Sequence, residues 1–95
     1  MNKVSLSSHA VKDLDKINEY DFKKIERTIK MIKNSEDLND LKSQKLKGII
    51  KDVYSYRISR TMRMLYSKEG DEVTILGFFD LNDDKFYLRF VENLP

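Results

Sequence analysis

The fold of this chain is decided by residues 53–66, VYSYRISRTMRMLY. In the first half of this stretch Tyr54, Tyr56 and Ile58 alternate with other residues, and a period of two is typical of a strand with one buried face. A second apolar run, residues 62–66, follows after a three-residue connection. The pattern predicts two neighbouring strands joined by a tight turn.

Two helices are predicted before these strands. Ser7 or Ser8 is a suitable N-cap for the first helix, and Asn18 or Asp21 for the second. The second helix is the clearest element of the chain, because its apolar residues recur at steps of three and four while its basic residues turn outward, and it is predicted to end near Asn34. Those apolar residues are Phe22, Ile25, Ile29 and Ile32. Two helices with so short a link indicate an antiparallel hairpin.

The remaining segments complete a sheet. Residues 3–6 alternate as a short strand does, and residues 35–44 are predicted to be a polar loop with at most one helical turn. Residues 69–71 mark a turn before a further strand over 72–79. Residues 86–94 have the spacing of a short helix.

These elements predict a single α+β domain over residues 1–95. Its order is an N-terminal strand, an α-helical hairpin packed on one face of a three- or four-stranded antiparallel sheet and, as an option that the spacing leaves open, a short C-terminal helix. A chain of this length builds one modest hydrophobic core, with a net stability of about 5–10 kcal/mol.

Composition argues against several classes of protein. The chain has no Cys and one His, which argues against a disulfide scaffold, a thiolate or histidine-rich metal site and an ordinary Ser-His-Asp triad. No apolar run approaches the roughly 20 residues of a membrane span, and the N-terminal segment lacks the apolar core of a signal peptide. We therefore expect a cytoplasmic protein with no metal, no cofactor and no membrane partner.

The formal net charge of +2 hides an uneven distribution. Residues 1–41 are neutral, residues 42–63 carry seven cations and one acid for a net charge of +6, and residues 64–95 carry −4. The seven cations are Lys42, Lys45, Lys47, Lys51, Arg57, Arg60 and Arg63. Such a concentration indicates an anionic partner, either a phosphate backbone or an acidic protein. A solvated basic face balanced by the acidic C-terminal third explains it equally well.

Basic residues near tyrosines on the two central strands are the best candidates for chemistry. If the strands pair, Arg57 and Arg63 converge on one face, where two planar forks of donors can hold a phosphate. Lys45 and Lys47 flank an apolar residue, so both ammonium groups can point to one side. The tyrosines can stack on nucleic-acid bases, or they can face the core while the arginines pair with local acids. The single His9 is predicted to be a surface or capping residue.

Four segments fall in an order and spacing typical of one protein family. Residues 7–16 read SSHAVKDLDK, 45–48 KLKG, 54–58 YSYRI and 62–66 MRMLY. They resemble the S-x-x-A-x-x-D-L-x-K helix start, the K-L-x-G segment, the Y-x-x-R-I strand and the x-Y-R-x-x-Y strand of the RelE/ParE superfamily of bacterial toxins. The resemblance covers residues 3–79, most of the chain.

The resemblance implies a β-α-α-β-β-β toxin domain, encoded beside a small antitoxin that wraps and neutralises it. RelE-like members cut mRNA in the ribosomal A site, whereas ParE-like members poison DNA gyrase. We expect the RelE-like function: the toxin of a type II toxin–antitoxin system, a ribosome-dependent mRNA endoribonuclease that inhibits translation. Its reaction is the attack of a ribose 2′-hydroxyl on the adjacent phosphate, without a metal ion. The implied partners are the cognate antitoxin, the ribosome and mRNA, with operator DNA reached only through the antitoxin complex.

The resemblance also implies roles for individual residues. Arg63 matches the arginine of the second motif strand and is expected to stabilise the phosphate, with Arg57 as a second stabiliser. Tyr87 matches the family's C-terminal tyrosine, as a general acid or a stacking platform. The residues expected to position the RNA backbone are Lys45, Lys47, Lys51 and Arg60.

Two alternatives remain open, because residues 80–87 contain no Arg and no His where many family ribonucleases carry one. One is a ParE-like toxin that acts on DNA gyrase by contact alone. The other is a catalytically weakened toxin that acts mainly as antitoxin partner and co-repressor. Convergence of Arg57, Arg63 and Lys47 on an open concave face favours the ribonuclease. Ion pairs from these cations to Asp80, Asp83 or Asp84 favour the two alternatives.

Overall fold

A computed structural model of the protein describes residues 2–37, 43–45 and 53–80, with the backbone alone at residues 44 and 45. In chain order the elements are β1 (Lys3–Leu6), α1 (Ser8–Leu14), α2 (Glu19–Asn34), β2 (Ser43–Lys45), β3 (Val53–Arg57), β4 (Met62–Glu69) and β5 (Glu72–Asp80). The predicted α+β order is confirmed, including the end of the second helix at Asn34. The C-terminal helix predicted over residues 86–94 lies outside the described residues.

All of these strands belong to one sheet, in the spatial order β1-β5-β4-β3-β2. The strands β2 to β5 pair antiparallel, as predicted, whereas β1 lies parallel beside β5. The N-terminal strand is therefore the fifth strand of the sheet and pairs in parallel, beside four antiparallel strands. A parallel neighbour cannot be joined by a hairpin, and here most of the domain lies between the two strands in sequence.

The edge strand β2 corrects one prediction. The sequence predicts residues 43 and 44 at the end of a polar loop, but Ser43 pairs with Tyr56 and Gln44 with Ser55 in antiparallel register. Three residues are too few to reveal a period of two, so this pairing depends on the neighbouring strand rather than on local pattern.

Both helices begin at a side-chain cap. The Ser7 hydroxyl accepts a hydrogen bond from the N–H of Ala10 at 3.1 Å, which settles the choice between the two serines. The Asn18 side chain accepts one from the N–H of Asp21 at 2.8 Å, so Asn18 rather than Asp21 caps α2. Each cap satisfies an N–H group that the first turn of a helix leaves without a partner.

Two residues of the helix-start motif attach α1 to β5. The Ser7 hydroxyl donates to the carbonyl oxygen of Leu76 at 2.8 Å, and the buried Asp13 carboxylate accepts from the N–H of Phe78 at 3.0 Å. The exposed His9 on α1 lies 3.7 Å from the same carboxylate, in keeping with its predicted surface position. The β4–β5 ladder shifts register beside these contacts. The motif residues therefore fix the helix to an irregular part of the sheet.

The hydrophobic core lies between the helices and one face of the sheet. Its buried members are Ala10, Ile25, Ile32, Ile58, Met64, Tyr66, Val73, Ile75 and Phe78. Tyr54 and Tyr56 pack against this cluster, which confirms that they share a face with Ile58. Because side chains alternate along a strand, Arg57 and Arg63 belong to the opposite face of the sheet, and Arg57 stands at the end of β3.

Candidate anion-binding site

Two arginines lie opposite each other at the end of the β3–β4 hairpin. Arg57 is the last residue of β3, and it pairs in register with Arg63 on β4. Residues directly opposite on antiparallel strands project to the same face, with Cβ atoms about 5 Å apart. The convergence predicted for these two side chains is therefore confirmed.

One carbonyl oxygen holds both arginine side chains. The Arg57 Nε donates to the Ser59 carbonyl oxygen at 3.3 Å, and the Arg63 Nη1 donates to the same oxygen at 3.1 Å. The Arg63 Nη1 also lies 3.3 Å from the Met62 carbonyl oxygen. The Ser59 hydroxyl in turn accepts from the N–H of Met62 at 3.2 Å and so tightens the turn. The connection between the strands thus positions both cations.

The charge of this pair is not neutralised within the described part of the chain. There, neither Arg57 nor Arg63 is found in an ion pair with a carboxylate. Asp83 and Asp84 lie outside the described residues. Arg57 is exposed and Arg63 half-buried. Two like charges held opposite each other repel, and an anion bound between them relieves that repulsion.

The other predicted site residues occupy several places. Arg60 is exposed in the connection between β3 and β4. Lys45 lies on the edge strand β2, where its backbone pairs with that of Tyr54 on β3. It is two strands away from Arg63 on β4. Their contact with RNA stays a prediction. The predicted residues outside the described ranges are Lys47, Lys51 and Tyr87.

The tyrosines of the central strands face the core. Tyr66 is 2% exposed, its ring is stacked on Tyr54 with centroids 5.4 Å apart, and its hydroxyl lies 2.6 Å from the Ser43 hydroxyl. Burial raises the pKa of the Tyr66 phenol above its ordinary value of 10.0, against the opposing effect of the Ser43 hydrogen bond. The core-facing interpretation therefore holds for Tyr66, which is too buried to stack on a nucleic-acid base.

A groove beside Arg57 contains cations that the sequence did not assign to a site. It has a volume of about 290 Å³ and lies between α2 and the end of β3. Its lining residues are Lys24, Arg27, Thr28, Met31, Tyr56, Arg57 and Ile58. The outward basic stripe of α2 was visible in the sequence, but only the folded chain places Lys24 and Arg27 beside Arg57.

Known proteins match this chain in structure and not in sequence. No protein-family model and no curated protein matches it. A RelB–RelE antitoxin–toxin complex from Methanococcus jannaschii gives a TM-score of 0.72 at 24% identity, over 86% of this chain and 95% of that chain. A heterotetrameric YoeB–YefM toxin–antitoxin complex from Staphylococcus aureus gives 0.65 at 25% identity, over 81% and 93%. YafQ from E. coli gives 0.69 at 14% identity, over 86% and 96%.

The chain has the fold of the RelE-like toxins. Within that fold, the segments 54–58 and 62–66 form the β3–β4 hairpin that carries the arginine pair, and the segment 7–16 contains α1 with its cap. The resemblance seen in the sequence is thereby confirmed at the level of fold. The structures named above are RelE, YoeB and YafQ proteins, and none of these three carries the name ParE.

The ranges that the structure describes offer neither a cluster of metal-ligating side chains nor a membrane-spanning helix. There, no three His, Cys, Asp or Glu side chains are placed together to hold a metal ion. Nor is any helix of these ranges both long and apolar enough to cross a membrane.

Proposed function

We propose that this protein is the toxin of a type II toxin–antitoxin system and acts as a ribosome-dependent mRNA endoribonuclease that inhibits translation. The observation that carries the proposal is the Arg57–Arg63 pair. Both cations lie on one sheet face, share the Ser59 carbonyl oxygen and have no carboxylate partner among the described residues. A pair of this kind suits the phosphate of a nucleic acid.

The reaction we propose begins with attack of a ribose 2′-oxygen on the adjacent phosphorus. The new O2′–P bond forms as the P–O5′ bond breaks, leaving a 2′,3′-cyclic phosphate and a free 5′-hydroxyl. A general base takes the 2′-hydroxyl proton, and a general acid gives a proton to the leaving 5′-oxygen. The pentacoordinate transition state carries extra negative charge on the phosphate oxygens, and fixed cations that stabilise this charge lower the barrier.

The arginines have donors to spare for this role. A guanidinium carries five N–H donors. The bonds to carbonyl oxygens use Nε of Arg57 and Nη1 of Arg63, so the terminal nitrogens of Arg57 and the Nε and Nη2 of Arg63 are available to phosphate oxygens. Ser59 holds both side chains in place beforehand, which avoids the cost of ordering them at the moment of reaction.

The remaining assignments extend the proposal. Tyr87 is the proposed general acid or stacking platform, and the basic residues of the +6 segment position the RNA backbone. These are Lys45, Lys47, Lys51 and Arg60.

The proposed partners are a cognate antitoxin, the ribosome and mRNA, in the cytoplasm. Support for an antitoxin comes from the complexes with RelB and YefM among the similar structures. Operator DNA is a partner only through the antitoxin complex. DNA gyrase, the target in the ParE-like alternative, is not favoured.

The proposal is tested by induced expression in a bacterium that lacks the antitoxin, with primer extension on a translated reporter mRNA. We expect growth arrest and new 5′ ends within translated codons, both absent with Arg63→Ala. Growth arrest with intact mRNA contradicts the ribonuclease and points to a protein target such as gyrase. No arrest with a stably folded protein points to the weakened toxin instead.

A further inference from the structure

We infer that the exposed face of α2 is a second RNA-binding surface, continuous with the arginine pair through Arg57. The inference rests on the proposed function for its partner, but it concerns residues outside the reacting centre. It assigns Lys24 and Arg27 to the phosphodiester backbone of RNA that extends beyond the cleavage site.

The first observation is the groove between α2 and the end of β3. Three cations line it, Lys24 and Arg27 from the helix and Arg57 from the strand, and no acidic residue is among its described lining residues. The half-exposed Met31 and the side chain of Tyr56 give it an apolar part. Cations beside apolar and aromatic side chains are the composition that binds single-stranded nucleic acid.

The second observation is that the cations continue along the helix. Arg27 also lines a neighbouring surface groove of about 410 Å³, together with Lys23, Glu26 and Lys30. From Lys23 to Lys30 the helix rises about 10 Å. A single carboxylate or phosphate can contact only one cation of this row of Lys23, Arg27 and Lys30, whereas a polyanion can contact all of them. This row favours a nucleic acid over a single acidic side chain of a protein.

The third observation concerns the surroundings of the row. Tyr20 is 68% exposed, and the Lys24 ammonium lies 4.6 Å from the centroid of its ring. An exposed aromatic ring beside a cation offers a platform on which a base can stack. Two carboxylates reduce the local charge, since Glu19 lies 3.9 Å from Lys23 and Glu26 shares the neighbouring groove. The groove that contains Arg57 is the more cationic of the two.

The decisive variant is the double substitution Lys24→Gln and Arg27→Gln. Gln keeps a helix propensity close to that of Lys and Arg, so the helix is retained. Its matched control, Lys3→Gln with Lys12→Gln, removes the same charge from exposed residues of β1 and α1. A charge-preserving swap, Lys24→Arg with Arg27→Lys, separates loss of charge from any disturbance of the helix.

Binding is measured with two probes. The first is a single-stranded RNA of about 15 nucleotides, which is long enough to fill a binding site of ordinary size. Its 2′-hydroxyl groups are methylated, so it cannot be cleaved. The second is the purified ribosome. Affinity is followed by fluorescence anisotropy for the RNA and by co-sedimentation for the ribosome, from about 50 to 200 mM salt.

Each lost phosphate contact lowers the slope of log affinity against log salt by about 0.7 and, at 0.1 M salt, weakens binding about 5-fold. We expect the double variant to lose about 1.4 in slope and about 25-fold in affinity. The control and the swap should remain within about 2-fold of the wild type. A loss seen with the free RNA supports the message strand as the ligand, whereas a loss seen only with the ribosome overturns that assignment and points to ribosomal RNA.

Unchanged affinity and slope with both probes overturns the inference, and would leave an acidic protein as the candidate for this surface. Failure of the proposed function looks different. In that case the wild-type protein produces no new mRNA ends, while the double variant still binds RNA more weakly than the control.

Discussion

Arg57 and Arg63 pair across β3 and β4, and both donate to the carbonyl oxygen of Ser59, at 3.3 and 3.1 Å. Like charges directly opposite on antiparallel strands destabilise a sheet. Their repulsion offsets the gain from these hydrogen bonds, so in our proposal the value of the arrangement is the anion that it can hold. Loss of either arginine is therefore expected to affect activity more than stability.

Removing one arginine is expected to abolish activity without unfolding the domain. Arg63→Ala should lower cleavage by about 10²- to 10³-fold, the usual cost of losing one group that stabilises developing charge. The free energy of unfolding should stay within about 1 kcal/mol of the wild type, because relief of repulsion offsets the lost hydrogen bonds. Primer extension and urea unfolding measure the two effects. Lys12→Ala is the control, and an Arg63→Ala protein of full activity would show that the site lies elsewhere.

Ser59 is expected to act as a positioning residue for the arginine pair. Ser59→Ala removes the hydroxyl that accepts from the N–H of Met62, at a cost of about 1 kcal/mol in stability. Since the turn holds both arginines, the maximal cleavage rate should fall while affinity for uncleavable RNA changes little. Ser59→Thr keeps the hydroxyl and should restore the rate. An equal loss in both variants would mean that the hydroxyl does not position the arginines.

Tyr66 links the core to the edge strand, so Tyr66→Phe is expected to destabilise the domain by about 1 kcal/mol through loss of its 2.6 Å hydrogen bond with Ser43. Thermal unfolding of Tyr66→Phe and of Ser43→Ala measures this bond. If the stability losses of these two single variants add fully in the variant that combines them, the two side chains are not coupled and the hydrogen bond does not stabilise the fold.

The same tyrosine gives stability a dependence on alkaline pH. Burial raises the pKa of Tyr66 above the unfolded value of 10.0, so the folded state holds this proton more tightly than the unfolded chain does. Its contribution is complete below pH 10.0 and is lost as the pH rises through the higher folded-state pKa. Urea unfolding between about pH 8 and pH 11 should show a steeper decline for the wild type than for Tyr66→Phe. Equal declines in stability for the two proteins would show that Tyr66 is not the source of this pH dependence.

Asp13 is expected to be a sensitive position of α1. Asp13→Ala leaves the buried N–H of Phe78 without its 3.0 Å acceptor, at a cost of about 1–3 kcal/mol. Asp13→Asn keeps an acceptor oxygen and should cost less. Chemical unfolding measures both against Asp15→Ala, an exposed control. A loss no larger than that of the control would mean that solvent replaces the carboxylate.

Substitution of Gly70 is expected to destabilise the domain because of its backbone conformation alone. Its φ of 62° lies in the left-handed region, and a Cβ built there meets nothing within 4 Å. Gly70→Ala should therefore cost about 1–2 kcal/mol through conformation and not through collision. Gly70→Asn should cost less, because Asn adopts this region more readily. The melting temperatures of the two variants compare these costs.

The elements that could be predicted are those with a long, one-sided pattern. The helix α2 and the strands β3, β4 and β5 each have one face against the core, and that burial imposes a period that the sequence displays. The capping serine of α1 and the turn at Gly70 were also predictable, because a cap and a left-handed turn have local chemical requirements. Convergence of Arg57 and Arg63 followed from the same period, once the short turn between their strands suggested pairing.

The sequence by itself determined the α+β class, the order of most elements and the two arginines of the candidate site. Only the tertiary structure decided that β1 lies parallel to β5, that residues 43–45 form an edge strand, and that Lys24 and Arg27 line a groove with Arg57. The physical reason is the range of the interactions. A buried face leaves its period in neighbouring residues, whereas strand pairing and the meeting of a helix surface with a strand end join residues far apart in the chain.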